Sequence, residues 1–302
     1  MAEKVYDCVV IGAGPAGLNA GLYLKRYGVD CIILRDPEQV SQVLITNRVD
    51  NYLGIQDVTG PELMDMFEKH LKNYNVEIVN EKTVDISKED ELISVKTNKN
   101  VYTAKAIIIA TGARHRKGGI KGESEFLGKG VSYCATCDGY FFKGKKVAVL
   151  GGGDSALTSA IFLKDIGCDV TLIHRRKEFR GADIYVKTAS EKGVKFVLEH
   201  TVKEIKGSTM VEKIILDNGE EIECSGVFIA FGEVPVVDIA RKAGVRIDES
   251  DFIVVDKEQS TNVEGIYAAG DVCNNPLKQI VTAVADGAVA AFSVKKYITT
   301  KK

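Results

Sequence analysis

The sequence predicts an α/β protein built from two doubly wound dinucleotide-binding domains, the second inserted into the first. Three observations predict it. A strand, a Gly-rich turn, a helix and a second strand follow one another near the start of the chain. The same succession returns in the middle of the chain. A closing strand and helix then follow near the end, with no counterpart in the second unit.

The first unit opens with the apolar run YDCVVIG, which ends at Gly12, followed by the turn GAGPAG from Gly12 to Gly17. LNAGLYLKRYG then has helical spacing of Leu18, Leu22 and Leu24, with Gly28 as its stop. DCIILRD is the second strand, ending near Asp36. Between Ile55 and Thr103 the segment PELMDMFEKHLKNY reads as a helix, and LISVKT with NVYTA reads as a hairpin. AIIIATG closes this stretch at Gly112. The second unit repeats the plan with the strand KVAVL, the turn GGGDSA from Gly151 to Ala156, the helix LTSAIFLKDIG, the strand DVTLIHRR and the later strand VFIAFG. The final GIYAAGD and the helix LKQIVTAVADGAVAAFSV complete the first domain more plausibly than the second. The expected division is therefore 1–113 with 244–302 for one domain and 114–243 for the other, both Rossmann-like three-layer units.

The chain has 302 residues, a formal net charge of −2 and 45% hydrophobic residues, enough for two cores. That charge gives no reason to expect nucleic acid or an anionic membrane as a partner. The charged start lacks the layout of a signal peptide, and apolar runs such as Ala106–Ala110 are too short to cross a bilayer. A soluble, cytoplasmic protein is expected. Seven cysteines at scattered spacings are not a disulfide framework. Cys8, Cys31, Cys168 and Cys224 lie in apolar stretches and read as small core residues, and Cys273 reads as incidental.

The Gly-rich turns carry a steric and an electrostatic argument. The first Gly permits the tight turn, the second lets a pyrophosphate approach the backbone, and the third lets helix and strand pack closely. The helix N-terminus then offers free N–H groups to the phosphates. These positions are Gly12, Gly14 and Gly17, with Pro15 and Ala16 between them, and then Gly151, Gly153 and Ala156, with Gly152, Asp154 and Ser155 in the same loop. The bland alternative is a turn of purely structural use. The end of the next strand discriminates nucleotides. An acidic residue there suits a free ribose, but the second unit ends His174–Arg175–Arg176, with Arg180 a turn later, which suits a 2′-phosphate and favours NADP(H). The first unit carries Arg35 at that place with Asp36 one residue beyond, so Asp36 is the candidate ribose contact.

One cysteine pair forms a pattern. CATCDG places Cys134 and Cys137 in C-x-x-C, the spacing of thiols that cycle between dithiol and disulfide, with Asp138 directly after them to carry protons. An inert buried pair is one alternative. A zinc site is another, but it needs two further ligands, and His70, His115, His174 and His200 are dispersed. No metal is expected.

Taken together, GAGPAG, ATG at Ala110–Gly112, CATCDG, GGGDSA, HRRKEFRG from His174 and AAGDV at Ala268–Val272 make the chain resemble the low-molecular-weight thioredoxin reductases over nearly its whole length. The Cys pair just before the second Gly-rich turn distinguishes these from the lipoamide-dehydrogenase type, whose pair lies near the N-terminus. The resemblance implies FAD in the first domain and NADPH in the second. It implies that Gly12, Gly14, Pro15, Ala16 and Gly17 hold the FAD pyrophosphate. Gln42, Asn51, Ala110, Thr111 and Gly112 would line the flavin, Gly270 and Asp271 would meet the ribityl or phosphate region, and Lys278, Gln279 and Ile280 would begin a helix whose positive end favours a reduced flavin. Gly151, Gly152, Gly153, Asp154, Ser155 and Ala156 would bind NADPH with His174, Arg175, Arg176 and Arg180.

The implied reaction passes electrons from NADPH through FAD to Cys134–Cys137 and on to thioredoxin or a thioredoxin-like protein. Cys137 would lie nearer the flavin, Cys134 would attack the acceptor and Asp138 would move the proton. The family also implies a homodimer and a domain rotation hinged near Ala113 and Gly232–Ala243. The chain departs from the family pattern at one place: the family commonly has Gly-Gly before Gln42, and here stand Val40 and Ser41. Two other readings stay open. One keeps the Cys chemistry but uses a ferredoxin-like donor or another protein disulfide; the other is a flavin-binding redox sensor without turnover.

Overall fold

The structure is a computed structural model and describes residues 4–46 and 48–301. The chain begins with strand β1 (Val5–Ile11), helix α1 (Pro15–Arg26) and strand β2 (Cys31–Arg35). Both strands are almost wholly buried and rich in Val and Ile, as expected of parallel strands covered on two faces. Gly28, at φ 70°, supplies the left-handed residue that ends α1. Helix α2 (Gly60–Lys72) opens with a reciprocal capping box. The Thr59 N–H donates to Glu62 Oε2 at 2.8 Å, and the Glu62 N–H donates to Thr59 Oγ1 at 3.3 Å. Strands β3 (Glu77–Asn80), β4 (Thr83–Glu89), β5 (Leu92–Thr97) and β6 (Val101–Ile109) follow. β4, β5 and β6 form the antiparallel meander in which the expected hairpin lies.

The chain then crosses to the second unit through strand β7 (Ala113–His115). Strand β8 (Val131–Ser132) leads into the single turn α3 (Ala135–Asp138). Strand β9 (Lys146–Leu150), helix α4 (Asp154–Asp165), strand β10 (Asp169–His174), helix α5 (Asp183–Glu191) and strand β11 (Lys195–Leu198) make the second doubly wound half. A separate three-stranded sheet holds β12 (Val202–Gly207), β13 (Val211–Leu216) and β14 (Glu221–Glu223). Strand β15 (Gly226–Ile229) returns to the main sheet, whose order is β11-β10-β9-β15-β8, all parallel.

Strand β16 (Glu233–Pro235), which pairs with β7, and helix α6 (Asp238–Lys242) lead back to the first unit. Strand β17 (Ile266–Ala268) adds to β6, giving a seven-stranded sheet of order β3-β2-β1-β6-β5-β4 with β17 beside β6. The last helix, α7 (Ile280–Thr300), packs on α1 through small residues. A Cβ on Gly287 would stand 2.1 Å from Ala16 O, so Gly287 lets the two helices approach closely.

The structure separates into units 1–46, 52–114 and 234–302 on one side and 47–51 with 115–233 on the other. The return to the first unit thus comes at Val234, ahead of the residue 244 expected from the sequence. The reason is packing: Val237, Ile239 and Ala240 are buried with Ile11, Ile107 and Ile109, and the Val236 N–H donates to Gly112 O at 3.0 Å. All five remaining cysteines are buried, including Cys273, which lies in the connection between β17 and α7 and packs into the core. Among the described residues no helix is long and apolar enough to cross a membrane.

Candidate functional site

In the first unit the Gly12–Gly17 turn divides its glycines by task. Gly12 has φ 115°, and a Cβ there would lie 2.2 Å from Ala110 O. A Cβ on Gly17 would lie 1.9 Å from Gly12 O, so the helix could not sit so close to the turn with any side chain there. Gly14 is different: among the described residues beyond its chain neighbours, Ser41 Oγ alone lies within 4 Å of its Cβ position, at 3.9 Å. Its face is open, the shape required for a phosphate to reach the backbone at the start of α1. The fold brings Ala110, Thr111 and Gly112 to this turn, since the Ala110 N–H donates to Ile11 O at 2.8 Å. Gln39 Nε2 donates to Thr111 O and Gln42 Nε2 to Ala113 O, both at 2.6 Å, which ties the segment after β2 to the end of β6.

Several expected contacts in this unit serve structure first. Arg35 is ion-paired with Glu68 at 2.5 Å, and Asp36 Oδ1 accepts the Glu38 N–H at 2.9 Å. Ala16 is buried, and Gly270, at φ 81°, leaves only 2.9 Å between its Cβ position and Ala16 Cβ. Lys278 Nζ donates to Cys273 O at 2.8 Å and to Asn275 O at 3.3 Å, and lies 3.9 Å from the centre of the Phe252 ring. The Lys278 side chain therefore closes its own loop. The Gln279 N–H donates to Thr282 Oγ1 at 3.0 Å, and Ile280 is the first residue of α7. Burial raises the Asp271 carboxyl above the usual range, with Lys278 opposing and Asp286 reinforcing. Asp286, not foreseen from sequence, accepts the Gly270 N–H at 3.2 Å and Asn275 Nδ2 at 2.7 Å, and so shapes the turn that holds Asp271. The segment that carries Asn51 clusters with the second unit, where the neighbouring Arg48 guanidinium stands 5.2 Å from the centre of the Phe141 ring.

The second unit repeats the turn with other substituents. Gly151 has φ 147°, and nothing lies within 4 Å of a Cβ on Gly153, so the second Gly again faces open space. Ala156 is buried at the third position. Gly152 is required for another reason: a Cβ there would stand 2.2 Å from the His174 ring. This corrects the expectation for His174. It is buried beneath the turn, stacked on Phe179 at 5.4 Å and bonded through Nε2 to Glu178 O at 3.1 Å. Burial holds its pKa below the usual histidine range, so the ring is neutral near pH 7 and props the turn. The Arg180 N–H donates to Gly152 O at 2.7 Å, and Asp154 Oδ1 accepts the Ala182 N–H at 2.7 Å. Ser155 is exposed at the start of α4. Arg176, Lys177, Glu178, Phe179 and Arg180 line an open cleft of about 320 Å³. Arg175, Arg176 and Arg180 are exposed, and no carboxylate among the described residues pairs with them. Uncompensated guanidinium groups beside an open phosphate turn are fitted to a further anionic group.

Cys134 and Cys137 are joined in a disulfide with Cα atoms 5.3 Å apart, both partly exposed. Cys134 caps α3, and the Cys137 N–H donates to Cys134 Sγ at 3.2 Å, a contact that favours a thiolate on Cys134 once the pair is reduced. The buried Ser132 hydroxyl donates to Asp138 Oδ2 at 2.5 Å and accepts the Cys134 N–H at 3.0 Å. Burial raises the Asp138 carboxyl above its ordinary range, partly offset by Ser132. Such a carboxyl holds its proton to higher pH than a surface aspartate does.

A second set of side chains anchors this hairpin and was invisible in the sequence. Glu123 is buried and accepts the Gly118 and Ile120 N–H groups, each at 3.0 Å, and the Tyr133 hydroxyl at 2.6 Å. The Tyr133 ring stacks on His115 at 5.0 Å, and burial pushes His115 down to about 4. Strand alternation explains the arrangement: Ser132 faces Asp138 and the next residue, Tyr133, faces Glu123. Glu125, two residues on from Glu123, is exposed, so composition alone did not mark which glutamate is buried.

The family model for pyridine nucleotide-disulphide oxidoreductases matches residues 6–287. A thioredoxin reductase of Peptoclostridium acidaminophilum is 39% identical over 98% of both chains. One from Treponema pallidum is 38% identical over 99% of both. The crystal structure of thioredoxin reductase from Streptococcus pyogenes superposes with a TM-score of 0.94 at 36% identity, over 99% of this chain and all of that one.

Proposed function

The chain belongs to the pyridine nucleotide-disulphide oxidoreductase family, and from that premise we propose that it is a thioredoxin-disulfide reductase, with FAD held by the first unit, NADPH by the second, and Cys134–Cys137 as the exchanging pair. One observation carries the reading: a partly exposed C-x-x-C disulfide has beside it a half-buried Asp138 whose carboxyl is raised above its ordinary range, in the same unit as an open Gly-rich turn whose arginines have no carboxylate partner among the described residues. The open face of Gly14 supports a dinucleotide in the first unit, and the open face of Gly153 with Arg175, Arg176 and Arg180 supports NADPH in the second. Lys278 closes its own loop in this structure and is not needed for the proposal.

A bound flavin would supply two-electron transfer between the nicotinamide and the disulfide. The residues do the rest. Reduced Cys134, as thiolate, attacks one sulfur of the acceptor disulfide and breaks that bond, giving a mixed disulfide and one acceptor thiolate. Cys137 then attacks Cys134 Sγ, re-forming Cys134–Cys137 and releasing the second acceptor thiolate. Asp138 exchanges the protons, so two electrons and two protons pass to the acceptor. Tyr140, 65% exposed, and Phe141, 38% exposed, offer aromatic surface to a protein acceptor just past the pair. Exposed Val289 and Phe292 on α7 suit a homodimer, and a working dithiol suits the reducing cytoplasm.

Anaerobic titration of the purified yellow protein with NADPH and with NADH, followed by addition of thioredoxin disulfide, tests this. Bleaching of the flavin by NADPH, and recovery of its colour on adding thioredoxin in the parent but not in Cys134→Ser, is the expected result. Full bleaching by neither nucleotide would move the donor to a ferredoxin-like protein. Undiminished recovery in Cys134→Ser would reject the exchange mechanism.

A further inference from the structure

The backbone at Val40–Ser41 does not need glycine. Ser41 has φ −62° and ψ 140°, ordinary for any residue, and Val40 is 61% exposed. A side chain is therefore tolerated there without strain. What it adds is a hydroxyl. Ser41 is the N-cap of the short turn Gln42–Ile45, yet its side chain makes no capping bond, and among the described residues its hydroxyl has no partner. An N-cap serine commonly spends its hydroxyl on the turn it opens, so one that does not is available for something else.

Its position says for what. Ser41 Oγ borders the open face of Gly14, at 3.9 Å from where a Cβ would be. That face is where the second Gly of the turn lets a pyrophosphate reach the backbone. Ser41 is also held in place from both sides, because Gln39 bonds Thr111 O and Gln42 bonds Ala113 O, each at 2.6 Å. At the second turn, among the described residues, no atom beyond its chain neighbours comes within 4 Å of a Cβ on Gly153.

We infer that the Ser41 hydroxyl donates a hydrogen bond to a pyrophosphate oxygen of the dinucleotide bound at Gly12–Gly17, a side-chain contact that a glycine at this place cannot make. The inference rests on the reading of the first unit as the FAD site. Loss of a hydroxyl that donates to a charged oxygen corresponds to roughly ten-fold or more in affinity.

The test uses the full-length holoprotein. Release of FAD on dilution is followed by the rise of free-flavin fluorescence, and displacement of FAD by ADP-ribose, which keeps the pyrophosphate but lacks the flavin, is followed in parallel. Ser41→Ala should weaken both FAD and ADP-ribose by about ten-fold, and Ser41→Thr, which keeps the hydroxyl, should restore most of both. FAD affinity of Ser41→Ala within two-fold of the parent, or tighter, would overturn the inference. So would a loss confined to FAD, which would place the hydroxyl on the flavin portion. A parent that binds ADP-ribose in a Ser41-dependent way but not FAD would overturn the flavin reading and keep this one; a parent that binds neither would overturn both.

Discussion

The two Gly-rich turns are the same device carrying different substituents. Ile11 pairs with Leu34 in the first sheet and Leu150 with Ile173 in the second, so Arg35 and His174 occupy equivalent places, as do Asp36 and Arg175. In the first turn Ala13 stands where Gly152 stands in the second. The exchange has a physical reason. Arg35 pairs with Glu68, and the turn has room for a methyl group at Ala13, whereas the His174 ring fills the space under the second turn and excludes one. One place further along, the acid of the first unit suits a free ribose hydroxyl and the arginine of the second suits a 2′-phosphate. The turn itself suits any dinucleotide, and the residue after the strand is the one fitted to discriminate between them.

The largest expected effect separates the units by chemistry, because the Cys134–Cys137 pair lies in the second. Asp138→Asn should slow thioredoxin reduction by about a hundred-fold while leaving reduction of the flavin by NADPH unchanged. The pH dependence follows from the raised carboxyl. In the parent the proton-delivering form persists below the raised pKa and disappears as pH rises through it, so turnover falls on the alkaline side. Asp138→Asn should lose that limb. A profile identical to the parent's in stopped-flow reoxidation would remove Asp138 from proton transfer.

A smaller effect sharpens the contrast between Asp36 and Arg175. Arg175→Ala with Arg176→Ala should raise the KM for NADPH by about ten- to a hundred-fold, as expected for lost charge-assisted bonds, and change that for NADH by less than two-fold. Equal changes for both nucleotides in steady-state kinetics would show that the arginines do not read the 2′-phosphate.

The smallest effect probes the two turns directly. Gly152→Ala forces a methyl against the His174 ring and should cost about 1–3 kcal/mol, read as a lower Tm or denaturation midpoint. His174→Ala in that background should recover part of the loss. The reciprocal change, Ala13→Gly, should cost no more than about 1 kcal/mol. If Gly152→Ala and Ala13→Gly had equal effects, the difference between the turns would lie elsewhere.

Much of this was legible in the residues, and the unread part has a common cause. The repeated strand–turn–helix unit, the insertion and the C-x-x-C pair all depend on neighbours a few positions apart, which a linear reading can see. The glycines at 12, 14, 17, 151 and 153 follow from the same local logic, and their open or crowded faces agree with it. Glu123 illustrates the other kind of residue. Its burial rests on donors from Gly118, Ile120 and Tyr133, and nothing near it in sequence distinguishes it from the exposed Glu125. His174 read as one more basic ligand beside its arginines, but alternation along β10 turned it under the turn and left Arg175 outside. The return to the first unit at Val234, and the grouping of Asn51 with the second, were likewise set by which apolar and aromatic partners arrived from elsewhere in the chain. The two strand–turn–helix units and the cysteine pair could be read along the chain, because periodicity and turn chemistry are properties of contiguous residues. Which charged and polar side chains remain available for a ligand was set only by folding, because whether a group is already paired depends on residues that become neighbours in the folded chain.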